Sequence, residues 1–322
     1  MRNTSPARWN SFMRTILAAL ALLAWPAAAQ TFPDRPITLT VGYPPGGNTD
    51  LMARALQPEF SRALNGAAVV VQNRAGAAGT LGAADVARAR PDGHTLLFTS
   101  NNPITAQPHM QALSYGMHSF RFICMTYDTP QVLIAGPKSP FNDFQGFAAL
   151  AKQPGQALVF ATPGQGSTQH LLTAQLLAAL HGDGLHVPFT GAGPMAQALL
   201  GGQVMAFVES TAVAKRSDLV ALAVFTPARL PILPNVPTLA ELGVPLVGST
   251  SGGILAPADT PDAVAATLEK ACLGAVATHA YQAAAERLNA GAAALGSTAF
   301  RAHFDRESEA AQATARALGL AR

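Results

Sequence analysis

Short runs of β-branched and aliphatic residues alternate along this chain with helical stretches, and that alternation most limits the folds open to it. Ile37-Thr-Leu-Thr-Val41 reads as a strand, a Gly/Pro turn follows over 42–48, and a helix is predicted over 49–64. A second strand at 68–71, a helix at 80–90 and a third strand at 95–99 continue the series. Such a β-α-β-α-β order builds a mostly parallel sheet with helices on both faces. The pattern then recurs, with strands at 132–135, 158–161, 186–189, 204–208 and 221–225 and helices at 144–152, 167–180 and 195–200. Prolines exclude helix from 231–237, which reads as an extended crossing segment. The Ala-rich tail over 261–320 reads as helical, broken at Gly291 and Gly296. The expectation is α/β, with two lobes and the second inserted between the β-rich start and the helical tail. A chain of 322 residues, 49 % hydrophobic, is long enough to bury two cores and too apolar to be globally disordered.

Residues 1–29 have another character. Arg2, Arg8 and Arg14 precede the ten-residue apolar run over 16–25, and Ala27-Ala28-Ala29 supplies a cleavage signature before Gln30. This is the pattern of a secretory signal peptide. Ten helical residues rise only about 15 Å, against roughly 30 Å of hydrocarbon core, so a membrane anchor is the weaker reading. The leader also carries the charge. Three Arg and no acid lie in it, so the 21 Lys plus Arg of the whole chain fall to 18, matching the 18 Asp plus Glu. The +3 of the full chain therefore disappears, and both tryptophans leave with it. A nucleic-acid partner loses its electrostatic support, because phosphate binding needs clustered Lys and Arg. Export implies an oxidising compartment in which Cys124 and Cys272 have the opportunity to pair. Their apolar contexts favour two buried free thiols instead.

Two segments carry candidate chemistry. In Tyr43-Pro-Pro-Gly-Gly-Asn-Thr-Asp50 a strand runs into glycines that let backbone approach a ligand, with Asn48 or Thr49 as cap of the next helix. Free N–H groups and the macrodipole make such a helix end an anion site, and an ordinary strand-to-helix connection is the bland alternative. Ala161-Thr-Pro-Gly-Gln-Gly-Ser-Thr-Gln-His170 repeats the physics, with Ser167 as N-cap and His170 one turn inside the helix. One anion-ready turn per lobe points to a ligand held between lobes.

Catalysis and metal binding fare worse. Ser167 and His170 sit one turn apart, yet a hydrolase also needs a group orienting the base and an oxyanion hole, and no G-x-S-x-G elbow exists. Ser167 reads as a cap and His170 as a ligand contact or packing group. His181 and His186 lack H-E-x-x-H spacing, so no metal is assigned. Gly76-Ala-Ala-Gly79-Thr-Leu-Gly82 has the wrong spacing for a dinucleotide fingerprint, so no cofactor is assigned either.

Several motifs, in order, resemble one family. Tyr43–Asp50, Val70-Val-Gln-Asn-Arg-Ala-Gly76, Arg90-Pro-Asp-Gly-His-Thr-Leu-Leu97, Gly164-Gln-Gly-Ser167 with His170, and His186-Val-Pro-Phe-Thr-Gly-Ala-Gly-Pro194 are similar to the tripartite tricarboxylate transporter substrate-binding proteins, also called the Bug family. Leu200-Gly-Gly-Gln-Val204, Leu233-Pro-Asn-Val-Pro-Thr-Leu-Ala-Glu-Leu-Gly-Val-Pro245 and Leu255-Ala-Pro-Ala-Asp-Thr-Pro261 extend the resemblance to the C-terminal region. It implies a two-lobe periplasmic binding protein of type II, a Venus flytrap, each lobe a mostly parallel sheet flanked by helices. Lobe one would comprise 30–126 and 249–322, and lobe two 127–248, with crossing strands near 124–130 and 245–254.

The implied function is capture of a mono-, di- or tricarboxylate and its delivery to membrane transporter subunits, without catalysis or cofactor, by a monomer in the periplasm. On matching positions the ligand contacts would be Tyr43, Gly46, Gly47, Asn48, Thr49 and Asp50 in lobe one, with Ser100 and Asn101. In lobe two they would be Gly164, Gly166, Ser167 and His170. The rival readings are an orphan sensor signalling to a membrane partner and, more remotely, a periplasmic hydrolase using Ser167. Departures from the family pattern are Ser251 where a Trp is common, Met205 where Asp is usual, a shorter 209–219 segment, and Ser114-Tyr-Gly-Met-His118 in place of Pro-Tyr-Asp-Pro.

Overall fold

A computed structural model of the chain describes residues 32–322 apart from 156, 190, 191, 216 and 217, so the predicted leader lies outside the described residues. The strands are β1 (Ile37–Val41), β2 (Val69–Asn73), β3 (Thr95–Ser100), β4 (Phe120–Ala135), β5 (Val159–Thr162), β6 (Leu185–Pro188), β7 (Ala206–Ser210), β8 (Val220–Val224), β9 (Ser249–Pro257) and β10 (Gly291–Gly296). The helices are α1 (Asn48–Ala63), α2 (Thr80–Ala87), α3 (Asn102–Thr105), α4 (Gln107–Met110), α5 (Phe144–Ala151) and α6 (Thr168–Ala179). They continue with α7 (Ala192–Gly201), α8 (Thr211–Ala214), α9 (Asp262–Val276), α10 (His279–Arg287) and α11 (Ser297–Ala317).

The sheet order is β2-β1-β3-β9-β4-β7-β5-β6, with β10 and β8 also pairing to β4. β1 lies parallel between β2 and β3, and β5 parallel between β6 and β7. Every antiparallel pairing involves β4 or β9. The α/β reading is therefore borne out as two parallel three-stranded sets joined through antiparallel strands. β4 extends along both sets, pairing with β9 on the side of the first and with β7 of the second. Its ladder with β9 ends at Pro130, and its ladder with β7 begins at Gln131. Proline has no N–H to donate, which suits the point where the strand changes partners.

Alternation along β4 explains the layers of the second set. Leu133 and Ala135 pack on one face with Phe144 and Phe147 of α5 and Leu172 and Leu176 of α6. Val132 and Ile134 pack on the other with Met195 and Leu199 of α7. A strand's period of two thus feeds helices on both sides. In the first set, Leu97, Phe122, Met125 and Leu255 gather beneath Phe300 and Phe304 of α11. β9 threads between β3 and β4 so closely that a Cβ at Gly253 would collide with the Cys124 carbonyl.

The structure corrects four expectations. Cys124 and Cys272 form a disulfide, Cα atoms 6.4 Å apart, because α9 packs on β4 and brings two positions 148 residues apart into contact. The 231–237 segment is a run of turns, with Leu233 N–H donating to the Leu230 carbonyl and Val236 N–H to the Leu233 carbonyl. The same prolines that forbid helix remove donors that an extended strand needs. Gly291 and Gly296 bound strand β10 rather than interrupting a helix, since the stretch lies antiparallel along β4. Gly47, not Asn48 or Thr49, is the N-cap of α1, and no side chain caps it.

Candidate binding cleft

The first turn follows β1. Gly46 adopts φ +81°, a conformation costly for residues with a Cβ, and its N–H donates 2.8 Å to Asp50 Oδ2. Arg54 Nε grips the same carboxylate at 3.0–3.1 Å, and Asn73 Nδ2 donates to Oδ1 at 2.8 Å. Burial pushes the Asp50 carboxyl up, but these hydrogen bonds and the Arg54 charge outweigh it and hold the group below the usual carboxylate range. Asn73 also donates to the Tyr43 carbonyl, 2.9 Å away. Asp50 is thereby occupied inside the protein and shapes the turn. Tyr43 Oη and Ser100 Oγ lie 2.7 Å apart, and burial raises the Tyr43 phenol to about 12 despite that bond. Thr49 Oγ1 meets Tyr127 Oη at 3.2 Å, and Asn48 Nδ2 donates to Thr129 Oγ1 at 3.4 Å.

The second turn follows β5. Ser167 is the N-cap of α6, its Oγ accepting the His170 N–H at 3.2 Å. Gly166, at φ +72°, donates its N–H to His170 Nδ1 at 3.0 Å. The His170 ring stacks on His186 with centroids 4.0 Å apart, and His186 Nε2 lies 2.6 Å from Thr162 Oγ1. Burial, then the neighbouring His186, lowers His170 to about 4. A neutral imidazole keeps Nδ1 an acceptor. The Ser167 hydroxyl bonds backbone and the ring bonds Gly166, so the two side chains do not form a nucleophile–base pair.

The segment that follows β3 meets the second turn. Asn102 Nδ2, just after β3, donates 2.8 Å to the Gly166 carbonyl, while Gln107 Nε2 donates 3.0 Å to Asn102 Oδ1. Asn101 donates its N–H to the Ser251 carbonyl at 2.8 Å and its side-chain amide to Glu307 Oε1 at 3.1 Å. Ser251, where the family pattern has Trp, is held 3.2 Å from His303 Nε2.

A crevice of about 350 Å³ opens beside this junction, bordered by Asn48, Gln131, Gln169, Glu209, Thr250 and Arg287. Asn48 is the one predicted contact on its wall. Asn101 instead borders a 90 Å³ cavity with Asn102 and Thr168, and His170 a 540 Å³ recess with His186. Gln169 lies inside a motif already singled out, and Glu209 directly follows the strand predicted over 204–208, so both carried a sequence signal. Arg287 and Thr250 carried none, because their approach to the crevice depends on how α10 and β9 pack. Among the described residues, no group of three or more His, Cys, Asp or Glu is placed to hold a metal ion, and no helix is long and apolar enough to cross a membrane.

Residues 52–295 match the family described as tripartite tricarboxylate transporter family receptor. The chain belongs to this receptor family. Protein BugT of Bordetella pertussis strain Tohama I is 37 % identical over 265 residues, covering 79 % of this chain and 80 % of BugT. The solved periplasmic binding protein BugD matches with TM-score 0.76 and 30 % identity, over 90 % of this chain and 99 % of that one. MatC from Rhodopseudomonas palustris, solved with bound malate, matches with TM-score 0.76 and 29 % identity over 88 % of this chain and 99 % of its own. The receptor family and the two-lobe type II fold expected from the motifs are thus established for this chain. The paired strand-to-helix turns belong to a solute-receptor scaffold.

Proposed function

We propose that this receptor captures a small carboxylate between its two turns, without catalysis, and delivers it to transporter subunits in the membrane. The observation that carries this reading is that Asn48 of the first turn and Gln169, beside the second, border one crevice, while Asn102 after β3 is bonded across to the Gly166 carbonyl at 2.8 Å. Each turn ends at a helix N-terminus whose first N–H groups lack intrahelical acceptors, so both attract anions. Malate in MatC supports the same ligand class.

In this reading the ligand lies between Gly46, Gly47, Asn48 and Thr49 of the first turn and Gly164, Gly166 and Ser167 of the second, while the N–H groups of Gly46 and Gly166 stay on Asp50 and His170. Tyr43, Ser100 and Asn101 support the first turn and His170 the second. Asp50 acts by positioning. The lobes would divide at 30–126 with 249–322 and at 127–248, the chain would act as a monomer, and the leader would direct it to the periplasm. The Ser167 and His170 hydrogen bonds support a receptor over a hydrolase.

Thermal melting of the chain from Gln30 onward, against mono-, di- and tricarboxylates, tests the reading. A ligand at a hundred times its Kd should add about 2.7 kcal/mol of stability and raise Tm accordingly. Unchanged melting across the whole panel would refute it.

A further inference from the structure

The second turn stands between two spaces. Gln169 borders the crevice, whereas His170, the next residue along α6, borders the 540 Å³ recess. The recess lies between α6 and the last turns of α11, and Ala174 and Ala178 of the one and Ala313 and Ala317 of the other line it. Alanine side chains end at Cβ, so the two helices leave room that longer residues would fill. Gln175 Nε2 donates 2.8 Å to Thr314 Oγ1 and ties the same helices together along this border. One side of the recess is aromatic: Phe160 stacks on His186 with centroids 5.4 Å apart, and His186 on His170 at 4.0 Å. The volume falls inside the roughly 300–1,000 Å³ that ligand pockets span.

A void between alanines is not by itself a site, and His170 supplies what the void lacks. The residue is only 6 % exposed, and its Nδ1 already accepts the Gly166 N–H. In the neutral ring Nε2 therefore carries the proton, and it donates to no described residue. His186 does not take that proton, since its ring lies face-on to His170 and its own Nε2 is engaged with Thr162 Oγ1. A donor left unmade in so buried a side chain costs free energy, which an acceptor entering the recess would recover. No lysine or arginine among the described residues borders the recess, and its charged group is the exposed Asp183 carboxylate. An anion would lose hydration there and gain no cation. An uncharged planar molecule would continue the ring stack, meet the alanine walls and offer its acceptor to Nε2.

We propose that this recess is a second binding site, separate from the carboxylate crevice, for uncharged aromatic amides or heterocycles that accept a hydrogen bond from His170 Nε2.

NMR titration of the labelled chain at pH 7.5 tests the proposal, with benzamide as probe and benzoate as its charged counterpart of similar shape. Benzamide should shift His170 Nε2 and the amides of Ala174, Ala178 and Asp183 along one saturating curve. Benzoate should bind at those reporters at least about tenfold more weakly. His170→Phe keeps a ring in the stack but removes the donor, and should weaken benzamide about three- to tenfold. Ala317→Trp fills the recess from α11 and should abolish the benzamide shifts while leaving the Tm rise given by a carboxylate unchanged. No shift at these positions, benzoate binding there as tightly as benzamide, or unaltered benzamide affinity in either variant would overturn the site. Because Ala317 lies outside both turns, a carboxylate response that survives in Ala317→Trp leaves the receptor reading standing whatever benzamide does.

Discussion

The two turns share one hydrogen-bond device built from opposite chemistry. In each, a glycine with positive φ donates its N–H to a side chain four residues later: Gly46 to Asp50 and Gly166 to His170. The first lock is a carboxylate held low by Arg54, Asn73 and Gly46, so it keeps its charge well into acid. The second is an imidazole kept neutral by burial. Capping differs too, with bare Gly47 in one turn and the Ser167 hydroxyl in the other. An anion placed near α1 already as Asp50 offsets part of that helix's positive end. Nothing comparable lies in the first turn of α6, whose end should be the more attractive to a ligand carboxylate.

The sharpest way to break the comparison is to remove the charged lock. Asp50→Ala leaves the Gly46 amide, the Asn73 amide and Arg54 without their common acceptor. Because Arg54 is half in solvent, urea unfolding should show a loss of about 2–4 kcal/mol, at the lower side of the range for broken buried pairs. A loss below about 0.5 kcal/mol would mean that the turn holds its shape without that carboxylate.

The neutral lock should yield to acid. His170 lies near 4 when folded and near 6.5 when free, so the unfolded chain binds more protons between those values. Its contribution is complete above about pH 6.5, falls as pH drops, and is gone near pH 4, a loss on the order of 2–3 kcal/mol. His170→Asn keeps an acceptor at a similar position but does not titrate. Its stability should fall less than the parent chain's between pH 7 and 4.5, and equal slopes would show that another group carries the effect.

Capping gives the smallest contrast. Ser167→Ala should cost about 1 kcal/mol, and Gly47→Ala, which removes no side-chain cap, a few tenths less. Equal losses would erase the difference between the two helix ends.

What the sequence made legible follows the reach of each interaction. Both strand-to-helix turns could be read because glycine freedom, capping and hydrophobic period act within a few residues, and Ser167 caps α6 as its place predicted. Gly47 displaced Asn48 as cap because Asp50 reaches back to Gly46, a choice set by Asn73 from a separate strand. The Cys124–Cys272 bond and β10 depend on what packs against β4, information no local window holds. Arg287 was invisible for the same reason, whereas Gln169 lay inside a segment already under scrutiny and Glu209 next to one.

The central claim is that one carboxylate is held by both turns at once. Backbone amide NMR of the labelled chain, titrated with the carboxylate that raises Tm most, tests it most directly. The account predicts that the amides over 46–50 and over 164–170 shift together and saturate with a single Kd. Shifts confined to one turn, or saturating at different concentrations in the two, would contradict it.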